Sequence, residues 1–180
     1  MDRSAINAAL FRHHEAFMLR VLAVPMDERA LSRNGKWTAA QQIEHILRAV
    51  RPVSMALRVP KWFLRWRFGK PNRPPRDYDG LVQRYKEKLA AGGRASGRFV
   101  PPDVPAGDVE RIATSLRDTV RTLSVRVDSW TEQDLDTVLL PHPLLGKLTV
   151  REMLYFTIYH AQHHQMLVDR DLSGGTITSP

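Results

Sequence analysis

Apolar positions in this chain recur at helical spacing, and no strand-like alternation persists for more than a few residues. Ile6, Leu10, Phe17, Val21 and Val24 form a stripe ending at Pro25, which predicts a first helix over about residues 4–24. Asn34-Gly35 is a turn signal. Thr38-Ala-Ala-Gln41 then reads as a capping box, in which the Thr hydroxyl and the Gln amide each satisfy a free backbone N–H. The helix it opens carries Ile43, Ile46, Leu47 and Val50, and Pro52 and Pro60 are expected to kink or break it. Pro71, Pro74 and Pro75 mark a loop before a helix from about Asp77 to Ala91, which Gly92-Gly93 stops. Residues 92–107, rich in Gly and Pro, predict an extended connection that wraps the bundle.

Val109, Ile112, Leu116, Val120, Leu123 and Val127 predict a long amphipathic helix from Asp108 to about Val127. A short helical turn is expected at Thr131–Asp134, and a rigid turn at Pro141-His-Pro-Leu-Leu-Gly146. Thr149-Val-Arg-Glu152 is a second capping box, opening a last helix to about Leu172, with Gly174-Gly175 as its stop. Helices joined by loops that suit antiparallel neighbours, with no fixed-period repeat, make an all-α bundle.

At 180 residues the chain is long enough to bury a core, and one domain over 1–175 with a tail at 176–180 is expected. With 43% hydrophobic and 26% charged residues it reads as globular. No run of 18 apolar residues suggests a membrane span, and charges at Asp2, Arg3, Arg12 and Glu15 interrupt any secretory signal, so a cytoplasmic location is the default expectation. The absence of cysteine excludes disulfides, thiolate ligands and a cysteine nucleophile; a metal site must use His, Asp, Glu or water. A net charge of +8 raises the prospect of an anionic partner.

The last helix carries Tyr159-His-Ala-Gln-His-His164-Gln. Residues four apart share a helical face, so His160 and His164 can aim two imidazoles at one ion, whereas His163 points elsewhere. Ala161 stands where a zinc protease would carry Glu, and no Glu precedes either histidine by one turn, which removes the metalloprotease and di-iron carboxylate readings. A catalytic site of this kind normally has three protein ligands and an open position. His45, seven residues after the Thr38 cap, is the best third candidate, although a histidine beside an apolar stripe is more often a hydrogen-bonded core residue.

Three segments in this order, Trp37-Thr-Ala-Ala-Gln-Gln-Ile-Glu-His45, His142-Pro-Leu-Leu-Gly-Lys-Leu-Thr149 and Tyr159-His-Ala-Gln-His-His164-Gln, resemble the DinB-like superfamily of small metal-binding bundles that includes the bacillithiol and mycothiol S-transferases. The resemblance covers nearly the whole chain. It implies an up-down-down-up four-helix bundle with a short extra helix, and His45, His160 and His164 as ligands of a divalent ion, zinc or nickel ahead of other imidazole-binding metals. It implies further a low-molecular-weight thiol as cofactor, a small electrophilic substrate and pairing into a homodimer. A hydrolase would use the same three ligands, and no general base can be named.

The remaining histidines have plainer expectations. His142, between two prolines, braces its turn; His13 and His14 cannot both face the core and are read as solvated; His163 is an outer neighbour or exposed. Gln41, Glu44 and Gln162 are candidates for orienting the ligands. Lys61-Trp-Phe-Leu-Arg-Trp-Arg-Phe-Gly-Lys70, with Arg73 and Arg76, is the densest basic and aromatic stretch. Such a stretch can stack bases while neutralising phosphates or sit at a membrane surface, and in a non-enzymatic stress protein with a structural or vestigial metal it would contact nucleic acid or another protein. The plainer expectation is an amphipathic turn whose Trp62, Phe63 and Trp66 pack on the bundle or a second subunit.

Overall fold

The computed structural model describes residues 1–32 and 35–172. The expected turn at Asn34-Gly35 therefore falls partly, and the Gly174-Gly175 stop and the 176–180 tail wholly, outside the described residues. The helices are α1 (Arg3–Leu22), α2 (Ala39–Ala56), α3 (Lys61–Phe68), α4 (Tyr78–Ala90), α5 (Val109–Asp128), α6 (Glu132–Thr137) and α7 (Val150–Leu172), with a hairpin of β1 (Leu139–His142) and β2 (Gly146–Thr149) before the last.

Local chemistry sets most of these boundaries. Asp77 caps α4 by accepting from the Gly80 N–H at 2.8 Å, and Asp2 caps α1 in the same way through Ala5. Both expected capping boxes form: Thr38 with Gln41 (3.1 and 3.0 Å) and Thr149 with Glu152 (3.2 and 2.9 Å). Pro52 does not break α2. The helix continues to Ala56 because Val50, Val53 and Leu57 are buried on both sides of the proline, so burial of the stripe offsets the missing N–H. Pro60 instead starts α3.

Pairs between helices fix the topology. Met1 against Tyr155 at one end and Arg20 against Asp169 at the other make α1 and α7 parallel. Glu15 with Arg117, and Arg3 with the Asp128 carbonyl, make α5 antiparallel to α1. His45 opposite His160, with Gln42 opposite His164, makes α2 antiparallel to α7. The result is the up-down-down-up bundle, in which α7 packs between α1 and α2, with α5 across from it. Its core is a continuous apolar cluster from Ile6 and Phe17 through Ile43, Leu116, Leu123 and Trp130 to Leu154 and Ile158. Among the described residues, no helix is long and apolar enough to cross a membrane.

Three segments differ from expectation. Residues 141–146 belong to a short antiparallel hairpin in which Leu139 pairs with Thr149 and His142 with Gly146, whose φ of +78° the reversal requires. Four residues per strand are too few to show as alternation. His142 braces this hairpin as expected, its Nδ1 accepting from the Leu144 and Leu145 N–H groups at 3.1 and 3.0 Å. The second departure is His14, which is buried rather than solvated. It fills the gap between Leu10 and Phe17 in the α1 stripe, donating from Nδ1 to the Leu10 carbonyl at 2.8 Å, and burial pushes its pKa down to about 4.

The third is α3. Only Leu64 is buried in it; Trp62 and Trp66 are 70% and 73% exposed, so they do not pack on the bundle. Its Lys61 and Arg65 both bond Asp134 (2.5 and 2.7 Å), and Arg73 and Arg76 both bond Glu152. Four cations that suggested a nucleic-acid surface are thus engaged within the chain.

Candidate metal centre

The capping box at Thr38 sets where α2 begins, and that start places His45 two turns in, facing α7. On α7, His160 and His164 stand one turn apart on the face turned to α2. The three imidazoles are buried and converge through one kind of atom: His160 Nε2 lies 3.2 Å from His45 Nε2 and 3.0 Å from His164 Nε2. All three residues offer a ligand atom within 4.8 Å of one another.

The opposite ring nitrogens settle the protonation. His45 Nδ1 donates to the Phe99 carbonyl at 2.6 Å, and His164 Nδ1 donates to Gln42 Oε1. A carbonyl oxygen can only accept, so in both rings the proton sits on Nδ1 and Nε2 carries a lone pair. His160 Nε2 can supply at most one proton to two such acceptors. Burial holds all three pKa values down, those of His160 and His164 well below the ordinary value, so extra protons are disfavoured. Convergent imidazole nitrogens in a buried pocket, those of His45 and His164 oriented by an outer hydrogen bond, are the donor set that a divalent cation fits.

Aromatic rings wall the cluster. Trp37 stacks on His164 at 6.3 Å between centroids and lies 4.8 Å from His45, while Phe156 stacks on His160 at 4.7 Å and Tyr85 of α4 meets it edge-on at 6.1 Å. Burial raises the Tyr85 pKa, so its phenol stays neutral. His163 does not join the cluster; it stacks on Tyr159 and meets Tyr85 edge-on, with its pKa pushed down to about 4 by burial first and Arg170 second. A cleft lined by Val24, Thr38, Trp37, Gln42 and Leu172 shares Trp37 and Gln42 with the site.

Of the expected orienting residues, Gln41 is used in the capping box and on the 92–107 connection, and Glu44 bonds Arg48 at 2.7 Å. The residue that bonds a clustered histidine is Gln42. Spacing alone did not single it out, since Gln41 and Gln42, four and three residues before His45, both lie near its face.

The lowered pKa values of six buried or half-buried histidines are expected to make the metal-free protein acid-labile. His14, His142 and His163 have pKa values pushed down to about 4, and those of His45, His160 and His164 are also lowered. An unfolded histidine titrates at about 6.5, so below that pH the unfolded chain binds protons that the folded chain refuses. Stability is fully present above about pH 6.5 and is expected to fall as pH drops from there toward 4. Thermal melts of chelator-treated protein should show Tm declining already between pH 6.5 and 5, above the carboxylate range. A Tm that stays level across that interval would contradict neutral burial.

A four-helix bundle with a buried, convergent three-histidine pocket between two of its helices could hold one divalent ion. The model of the DinB superfamily matches residues 10–168, and the chain belongs to that superfamily. No curated protein and no solved structure matches it.

Proposed function

We propose that His45, His160 and His164 are the protein ligands of one divalent ion, zinc or nickel, and that the site serves a metal-dependent thiol S-transferase acting on a small electrophile in stress or detoxification. The observation that carries the metal reading is the approach of His160 Nε2 to two bare Nε2 atoms at 3.2 and 3.0 Å. Three protein ligands leave a fourth position for an exogenous group. When bound, the ion would supply Lewis acidity, lowering the pKa of a coordinated thiol or water toward neutrality. The chain's own part is to hold His45 and His164 in one tautomer, through Phe99 and Gln42, and to surround the three rings with Trp37, Phe156 and Tyr85, which limit access of bulk water. The chain has no cysteine, so the nucleophilic sulfur must come from a small-molecule thiol.

Exposure of Trp62 and Trp66 favours one further reading of the same molecule, that α3 is covered by a second copy in a homodimer. Aromatic side chains are enriched at such interfaces. The nucleic-acid alternative loses support because Lys61, Arg65, Arg73 and Arg76 are paired within the chain.

The test is elemental analysis of purified protein, followed by a panel of low-molecular-weight thiols offered with a chlorobimane electrophile. Thiol consumption that requires both the protein and its metal is expected. Consumption of no thiol by metal-loaded protein would sink the transferase reading, and hydrolysis of an ester or amide in its place would favour the hydrolase.

A further inference from the structure

Gln41, His45 and Arg48 are spaced four and three residues apart, so they form one stripe along α2. All three side chains bond the same stretch of the 92–107 connection. Gln41 Nε2 donates to the Pro102 carbonyl and to Asp103 Oδ1, both at 3.3 Å. His45 Nδ1 donates to the Phe99 carbonyl at 2.6 Å. Arg48 Nη1 donates to the carbonyls on either side of it, Arg98 at 3.2 Å and Val100 at 3.5 Å, and Arg48 itself is steadied by Glu44. The strap at 98–103 thus turns its carbonyls toward α2. The carbonyl that fixes the His45 tautomer sits between the two that Arg48 grips.

We propose that Arg48 is a positioning residue for the metal centre: by clamping the carbonyls flanking Phe99, it keeps the Phe99 carbonyl on His45 Nδ1 and so leaves His45 Nε2 free to ligate. The proposal rests on the reading of His45 as a ligand. Outer partners that hold a ligating imidazole matter because they set its tautomer and its direction. Arg48 acts one step further out, on the partner rather than on the ring. Strap docking and metal binding then stabilise each other by the same factor, since linkage between two equilibria is reciprocal. The exposed Arg98, inside the strap, offers trypsin a cleavage site that reports docking.

The experiment measures zinc affinity by chelator competition near neutral pH, and trypsin cleavage after Arg98 with and without zinc, in wild type, Arg48→Met and Arg48→Lys. Zinc is expected to slow cleavage in wild type. Arg48→Met is expected to bind zinc about tenfold more weakly, at the low end of the effect of outer-partner substitutions, and to lose most of the protection. Arg48→Lys, which restores a cation able to donate to the same carbonyls, is expected to recover part of both. Far-UV circular dichroism and melts of the metal-free proteins show whether each variant folds. Should Arg48→Met fail to fold, Glu44→Gln removes the carboxylate that steadies Arg48 and is expected to weaken zinc binding in the same direction by a smaller factor. Unchanged zinc affinity in folded Arg48→Met, with faster strap cleavage, would make the strap a structural tie and overturn the proposal. Zinc affinity equal to that of wild type in both Arg48 variants, with strap cleavage also unchanged, leaves the metal reading standing without this one, whereas wild type that takes up no zinc overturns both.

Discussion

Replacing His160 with alanine is expected to reduce metal uptake from stoichiometric to undetectable while leaving the metal-free protein folded. His160 is the central member of the cluster, its Nε2 lying 3.2 Å from His45 Nε2 and 3.0 Å from His164 Nε2. Without it, two imidazoles remain on different helices. On the proposed ligand set the loss should exceed the roughly 10- to 100-fold that substitution of an outer partner costs, because a direct donor would be gone. The expected stability change has a less obvious sign. In metal-free wild type, His160 offers at most one proton to two acceptors, so removing its ring relieves that conflict even as it opens a small cavity. Tm of the metal-free variant should therefore lie close to that of wild type, whereas added zinc should raise Tm in wild type only, since a ligand that binds the folded state alone stabilises it by mass action. Elemental analysis and thermal melts with and without zinc measure both. Stoichiometric metal retained by His160→Ala would remove the foundation of the proposed site.

The second large effect belongs to a residue outside the proposed metal site. Glu152 is 0% exposed at the first turn of α7, and its carboxylate accepts from Arg73 Nη1 and Nη2 (2.7 and 3.0 Å), Arg76 Nη1 and N–H (3.1 and 3.0 Å) and the Thr149 N–H (2.9 Å). Burial alone would raise its pKa, but the Arg73 guanidinium and the backbone N–H groups of Arg76 and Thr149 outweigh it and hold the carboxyl below its ordinary value. Its contribution is therefore present above the unfolded carboxyl range and is lost only as pH falls through the lower folded value. Glu152→Ala leaves two guanidinium groups and two backbone donors without this partner. Breaking a buried pair from one side costs about 3–5 kcal/mol, and the partial exposure of both arginines, which can rehydrate, points to the lower end. For a chain of this size that corresponds to a fall in Tm of roughly 10 °C, measured by thermal or urea denaturation. A change under about 1 kcal/mol would show that water replaces the carboxylate without penalty. The effect should reach the proposed metal site indirectly, because Arg73 and Arg76 tie the segment before α4 to α7, and α4 carries Tyr85 against His160.

Both the three-histidine cluster and the Glu152 ion-pair hub began as capping signals. Thr149-Val-Arg-Glu152 announced the start of α7, but nothing local announced that Glu152 would also gather two arginines from residues 73 and 76, a pairing across more than seventy positions. Thr38-Ala-Ala-Gln41 likewise announced α2. Which glutamine then reaches His164 depends on how α2 is rotated against α7: Gln42 faces inward and Gln41 faces the strap. His14 shows the reverse case, being legible as the missing member of the Leu10–Phe17 stripe once the helical period is followed through a polar residue. The hairpin at 139–149 was hidden by its length. Its strands exist because Leu140 and Leu148 bury against the bundle, a tertiary gain with little local trace.

The sequence by itself determined most of the helices, their caps and the placing of His160 and His164 on one face, because these follow from hydrogen bonds and burial patterns repeating within a few residues. It also excluded thiolate ligands and a thiolate nucleophile from the chain itself. Only the tertiary structure decided that His45 meets them, that Phe99 and Gln42 set the ring protons, that Arg48 grips the strap, and that Trp62 and Trp66 stay outside. Those outcomes depend on the rotation and direction of helices packed against each other, which no short-range preference encodes.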